Sequence, residues 1–200
     1  YQVIGNQPPV GLCGSAMIDV LAELVKCKIV DHTGRINQQV SQNRIRRRNE
    51  SLEFVIAWDR DTAKNGDIVV TQGDIRELQL AKAAIYTGCT MLLRNRQISS
   101  NDIHRVYLAG AFGNYIQPEN AIRIGLLPDI NPEKVTLVGN AALSGARITL
   151  LSQTGRNKAR EIAEGASYIE LGADPAFNKA LIAATYLPHQ DRSLFPSSFP

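Results

Sequence analysis

The feature that most constrains this chain is the run Val106-Tyr-Leu-Ala-Gly110-Ala-Phe-Gly113-Asn114-Tyr115, where a β-favouring stretch breaks at two glycines three residues apart. Pro118 follows and suits the first position of a helix. A strand that ends in a glycine turn and feeds a helix presents free backbone N–H groups and the positive end of a helix dipole. Glycine has no Cβ, so a flat or anionic ligand can approach the main chain closely. The expectation is a nucleotide-contacting loop.

The rest of the chain alternates in the same way. Gly14-Ser15 leads into a helix to about Lys28, with Ser15 as the expected N-cap and Met17, Val20, Leu21, Leu24 and Val25 as its apolar face. A polar segment containing Arg44, Arg46, Arg47 and Arg48 reads as a solvated, mobile loop, with phosphate or acidic-partner binding as the alternative. Leu52–Trp58 and Asp67–Val70 read as strands joined across Asp59–Gly66. Thr71 and Asp74 stand at the spacing of a capping box, opening a long helix with Ile75, Leu78, Ala81, Ile85, Cys89 and Leu92 on the buried stripe.

A short capped turn, Ser100-Asn-Asp102, precedes the strand Val106–Ala109. Val135–Val138 is a further strand. Gly139-Asn140 turns into a helix to about Leu151, and Arg156–Gly165 reads as a charged surface helix. Tyr168–Leu171 reads as a last strand, and Asp174 as the cap of a last helix to about Tyr186. Leu187–Pro200, rich in Pro and Ser, is expected to be extended or disordered. Strands alternating with helices predict an α/β fold, a sheet flanked by helices.

Composition excludes several functions. The 200 residues carry a net charge of +3, and no Lys/Arg run is interleaved with aromatics, so nucleic acid is not an expected partner. No run of about 18 apolar residues occurs, so no membrane span is expected. The cysteines, Cys13, Cys27 and Cys89, form no Cys-x-x-Cys pair; they read as thiols of a reducing cytosol, and no metal site is assigned. His32, His104 and His189 stand in unrelated contexts, and the carboxylates, Asp19, Asp59, Asp61 and Glu77 among them, make no obvious pair. No catalytic residue is therefore assigned. The start at Tyr1, without Met or leader, reads as a fragment.

Glycine junctions remain. Gly11 and Gly14-Ser15, Gly110 with Gly113, and Gly139-Asn140 all enter helices, and together they suggest one crevice above the strand ends. A dinucleotide fold is rejected. The Gly-x-Gly-x-x-Gly spacing is absent, and Asp129, about 20 residues on, follows the helix exit Leu126-Leu-Pro128.

These residues resemble a known family. Gly11-Leu-Cys-Gly-Ser-Ala-Met-Ile-Asp19, Thr71-Gln-Gly-Asp-Ile-Arg-Glu-Leu-Gln-Leu-Ala-Lys-Ala-Ala84, Tyr107–Tyr115, Gly125-Leu-Leu-Pro128 and Val138–Ala146 are similar to the C-terminal ATPase region of reductive activators of corrinoid proteins. The resemblance implies the C-terminal lobe of an actin-like, ribonuclease H-like ATPase domain with a mixed sheet flanked by helices. That lobe spans residues 1–186, with a smaller inserted subdomain around 20–70 and a tail over 187–200.

It further implies a protein that uses ATP and an N-terminal iron–sulfur domain to return cob(II)amide to cob(I)amide on a corrinoid protein of a methyltransferase system. Leu108–Asn114 is similar to the superfamily's adenosine motif, Gly139–Ala146 to its second connecting helix, and Gly14-Ser15 to a glycine turn near ribose or phosphate. The implied nucleotide-contacting residues are Gly14, Ser15, Gly110, Ala111, Phe112, Gly113, Asn114, Gly139 and Asn140. Homodimers are common among such relatives, though no apolar stripe in the sequence demands one.

The departures are specific. The superfamily's Asp-x-Gly-Thr hairpins, which hold Mg²⁺ and triphosphate, and the iron–sulfur cysteines are missing, and Ala16 stands where the family commonly has Gly. The ATP/Mg site is thus expected to be incomplete and the fragment alone inactive. The competing expectation is an interaction module of the same fold, docking through Arg44–Arg48 and the tail without using nucleotide.

Overall fold

The computed structural model describes residues 1–40, 43–110 and 115–198. Helix α1 (Gly14–Lys26) is followed by three strands, β1 (Ile45–Arg48), β2 (Ser51–Ala57) and β3 (Ile68–Thr71). The long helix α2 (Gln72–Asn95) leads to β4 (Val106–Ala109), α3 (Pro118–Arg123) and β5 (Val135–Gly139). Helices α4 (Ala141–Leu151), α5 (Gln153–Glu164) and α6 (Phe177–Ala184) complete the order.

The α/β character is as expected, but the described strands form two sheets. β1, β2 and β3 make an antiparallel sheet in sequence order, whereas β4 and β5 pair in parallel. Val70 at the end of β3 and Ile75 on the first turn of α2 enter the core together with Ile18 and Leu21 of α1, Ile122 of α3 and Ile124 just after it. Burying each such aliphatic side chain contributes roughly 1.5–3 kcal/mol.

Three local expectations change. Helix α1 begins at Gly14 with Cys13 in the extended region, and no side chain caps it; Ser15 is already inside the helix and buried. Arg44–Arg48 is not a mobile loop, because β1 pairs residue by residue with β2 and Arg44 and Arg46 reach back into the sheet, while Arg47 and Arg48 are exposed. Tyr168–Leu171 is not a strand. It is irregular and leads into a short 3-10 turn, Leu171–Ala173, after which the Asp174 carboxylate accepts from the Ala176 N–H at 2.8 Å just before α6.

The capping box at the start of α2 is present: Thr71 Oγ1 accepts from the Asp74 N–H, and Asp74 Oδ2 accepts from the Thr71 N–H. The buried face of α2 is rotated from the expected stripe. Ile75 is buried, but Ala81, Ile85 and Leu92 are exposed, while Gln79, Lys82, Ala83, Tyr86, Thr87 and Met91 face inward. The reason lies in what covers the helix. Backbone carbonyls of residues 33 and 185–188 lie against this face, and only donors can satisfy them: Gln79 Nε2 donates to Thr33 and Thr185, and Lys82 Nζ to Tyr186 and Pro188.

The C-terminal residues supply much of that cover. Leu187 and Phe195 are fully buried, Phe195 packing on Tyr86 at 5.4 Å between ring centroids. The Leu187 N–H donates to the His32 carbonyl, and Asp129 accepts from the N–H and hydroxyl of Ser197. Residues 187–198 are thus an arm docked across α2 and the exit of α3.

Apolar surface is left open elsewhere. None of the residues of α4 or α5 is buried, and Leu143, Ile148, Leu150 and Leu151 of α4 are each more than half exposed. Both strands of the parallel pair are also partly exposed, with Tyr107, Leu137 and Val138 facing solvent, although parallel strands are normally covered on both faces. The exposed apolar residues of α2 and α4 are surface that the sequence reading did not single out.

Candidate nucleotide-binding site

The parallel pair builds the centre of the site. Val106, Tyr107 and Leu108 pair with Val135, Thr136 and Leu137, and the register then slips so that Ala109 faces Gly139. Val138 is the extra residue, giving a bulge of the kind that re-aims the chain at a strand end. The slip lets the Gly110 N–H donate to the Gly139 carbonyl at 2.6 Å. Both glycines take positive φ, +100° and +63°, where L side chains are strained. Among the described residues, a Cβ at Gly110 would meet nothing within 4 Å.

Asn140 caps α4. Its Oδ1 accepts from the Leu143 N–H at 3.0 Å, leaving its amide nitrogen as the remaining donor. Ala141 and Ala142, at the first two positions of α4, have N–H groups without an intrahelical partner. Two strand ends and one helix start therefore converge, with the first N–H groups of α4 as main-chain donors. Ala111, Phe112, Gly113 and Asn114 lie outside the described residues.

Gly14 and Ser15 stand on a separate element. Ser15 Oγ is 3.3 Å from Cys13 Sγ, and this contact, with the Ala16 N–H, holds the Cys13 thiol below its usual range. The link from this junction to the other two runs through α3, which packs on α1 and follows the glycine loop. Asn120 of α3, nearly buried, donates through Nδ2 to Asp19 Oδ1 of α1 at 2.8 Å. Asp19 has no visible partner in the sequence because the two residues lie 101 positions apart and share no periodicity.

Two open concavities, of about 340 and 350 Å³, lie on the antiparallel sheet and not at the glycine junctions. Their charged lining is used internally. Arg46 donates to Glu53 and to Asp67, each at 2.6 Å, and stacks over Trp58, while Asp67 also accepts from the Asp59 N–H. Among the described residues no three of His, Cys, Asp and Glu stand together as a metal could require, and no helix is long and apolar enough to cross a membrane.

Residues 1–199 match the family described as the C-terminal domain of RACo, the ASKHA domain. The chain belongs to this family. Its ASKHA, actin-like ATPase fold is shared with a solved structure, a reductive activator for corrinoid, iron-sulfur protein. That protein is 44% identical, with a TM-score of 0.94 over 98% of this chain and 31% of its own. The corrinoid activation enzyme RamQ of Eubacterium limosum is 39% identical over 184 residues, 88% of this chain and 31% of that protein. A [Co(II) methylated amine-specific corrinoid protein] reductase of Methanosarcina barkeri is 29% identical over 113 residues, 56% of this chain and 21% of that one. This ASKHA domain thus spans about a third of the length of the first two relatives.

The residues present fit one end of a nucleotide. Beside the Gly110–Gly139 junction, the first N–H groups of α4 are free of intrahelical partners and suit a polar ligand, whereas Cys13 and Cys27 flank the two ends of α1 and Cys89 lies in α2, an arrangement that does not fit an iron–sulfur cluster.

Proposed function

We propose that this ASKHA domain is the adenosine-side lobe of an ATP-dependent reductive activator that returns cob(II)amide on a corrinoid protein to cob(I)amide, in the cytoplasm. The observation that carries the reading is the Gly110–Gly139 hydrogen bond, which brings two strand ends together at the start of α4. Family membership and the names of the relatives support the same activity. In this reading Gly110, Ala111, Phe112, Gly113 and Asn114 face the adenosine, Gly139 and Asn140 close its far side, and Gly14 and Ser15 approach ribose or phosphate.

ATP, when bound, supplies the free energy for an uphill electron transfer from an iron–sulfur centre. This chain's residues bind and orient the nucleoside. Gly110 and Gly139 give main-chain access without a Cβ, and Asn140 offers its amide nitrogen. The phosphates and Mg²⁺ belong with acidic hairpins that these 200 residues do not contain. Two features that favoured an interaction module are occupied internally: Arg44 and Arg46 bond within the antiparallel sheet, and the arm is docked on the core.

The test is calorimetry with ADP on the full-length protein, beside an assay of ATP hydrolysis stimulated by its corrinoid protein. Gly110→Val should fold and lose nucleotide affinity at least tenfold, about 1.4 kcal/mol. Affinity that is unchanged in folded Gly110→Val would remove the loop from the site.

A further inference from the structure

The Asp19–Asn120 hydrogen bond joins side chains of two helices, α1 and α3, each of which follows a glycine junction in the sequence. Asp19 sits in the second turn of α1, five residues after Gly14. Asn120 is the third residue of α3, ten after Gly110, with Ile116 buried between them. The bond is 2.8 Å long, and Asn120 is 7% exposed, so water competes little for its amide. The acceptor is a carboxylate, which makes the bond stronger than an amide–amide contact.

We propose that Asp19 and Asn120 are positioning residues for nucleotide binding, setting the distance between the Gly14–Ser15 turn and the Gly110 loop. This rests on the nucleotide reading above. A glycine turn has little stiffness of its own, so its placement is inherited from the element it joins. Helix α1 carries one turn and α3 follows the other, and the two helices pack together with this pair at their contact. Neither side chain needs to touch ligand: the pair acts through the helices.

Exchange of the two groups tests the idea in the full-length protein. Asn120→Asp sets two carboxylates face to face, whereas the double variant D19N/N120D restores one donor and one acceptor with their order reversed. ADP affinity by calorimetry should fall roughly tenfold in N120D and return to within about threefold of wild type in D19N/N120D. Asp19→Asn alone, which keeps an acceptor oxygen, should fall by less than threefold. If N120D does not fold, Asn120→Ala deletes the donor without adding charge and should show the same loss.

A lower melting temperature with unchanged ADP affinity makes the pair merely structural and overturns the inference. So does a D19N/N120D variant that melts like wild type yet stays tenfold weak. Wild type without ADP affinity defeats the nucleotide reading itself, and this inference with it. Wild type and N120D binding equally well defeats the inference alone.

Discussion

The N–H of Gly110 donates to the carbonyl of Gly139 at 2.6 Å, across a bulge that separates the last regular pair of a parallel ladder from the start of a helix. This bond joins two turns 29 residues apart at the start of α4.

Gly110 and Gly125 look alike in sequence, each following an apolar stretch, but substitution should separate them. At Gly110 a Cβ would meet no described residue within 4 Å and the strain lies in φ +100°, so Gly110→Ala should cost about 1–2 kcal/mol and still fold. At Gly125 a Cβ would stand 2.1 Å from the Pro188 carbonyl oxygen at φ +75°, and the obstacle is backbone. Gly125→Ala should therefore melt well below Gly110→Ala and free residues 187–198 for proteolysis.

Lys82 should make stability rise with pH. It is fully buried, donates to the Pro188 carbonyl at 2.6 Å and to that of Tyr186, and burial pushes its pKa down to about 7 from 10.5. Below about pH 7 the folded and unfolded chains both carry the proton. Between about 7 and 10.5 only the unfolded chain does, so the unfolded state binds more protons and stability increases with pH across that window. The slope should approach ~1.4 kcal/mol per pH unit. A neutral amine keeps two N–H donors, one for each carbonyl. Urea unfolding from pH 7 to 10 measures the slope, and in Lys82→Met it should be lower by this contribution.

Arg46→Ala should destabilise the antiparallel sheet by about 2–3 kcal/mol, because the Glu53 carboxylate would be left unpaired with its side chain 6% exposed. Replacing Glu53 with Gln in the same protein should recover part of the loss, since no buried charge then remains. Urea midpoints of the single and double variants give the comparison. Nucleotide affinity should stay at the wild-type value, as this sheet is separate from the β4–β5 pair.

Phe195→Ala should cost about 3–5 kcal/mol, a large value for a residue six from the end of the sequence. Its ring is fully buried, 5.4 Å from that of Tyr86 and 6.4 Å from that of His189. Limited proteolysis should cut residues 187–198 in this variant faster than in wild type.

The sequence alone determined what depends on neighbours along the chain. The Thr71–Asp74 box, the Val106–Ala109 strand, the Asn140 cap and the glycines that turn after strands are all local: each is specified by residues within a few positions of it. The family resemblance rested on the same segments. Only the tertiary structure decided which face of α2 is inside, because that depends on the carbonyls of Thr185, Tyr186 and Pro188, more than 100 residues away, which drew Gln79 and Lys82 inward and left Ile85 and Leu92 exposed. It also decided that Arg46 is an internal partner of Glu53 and Asp67, and that Asp19 meets Asn120. Those are long-range pairings of polar groups, and a polar group's partner is set by where the chain returns, which no local periodicity encodes.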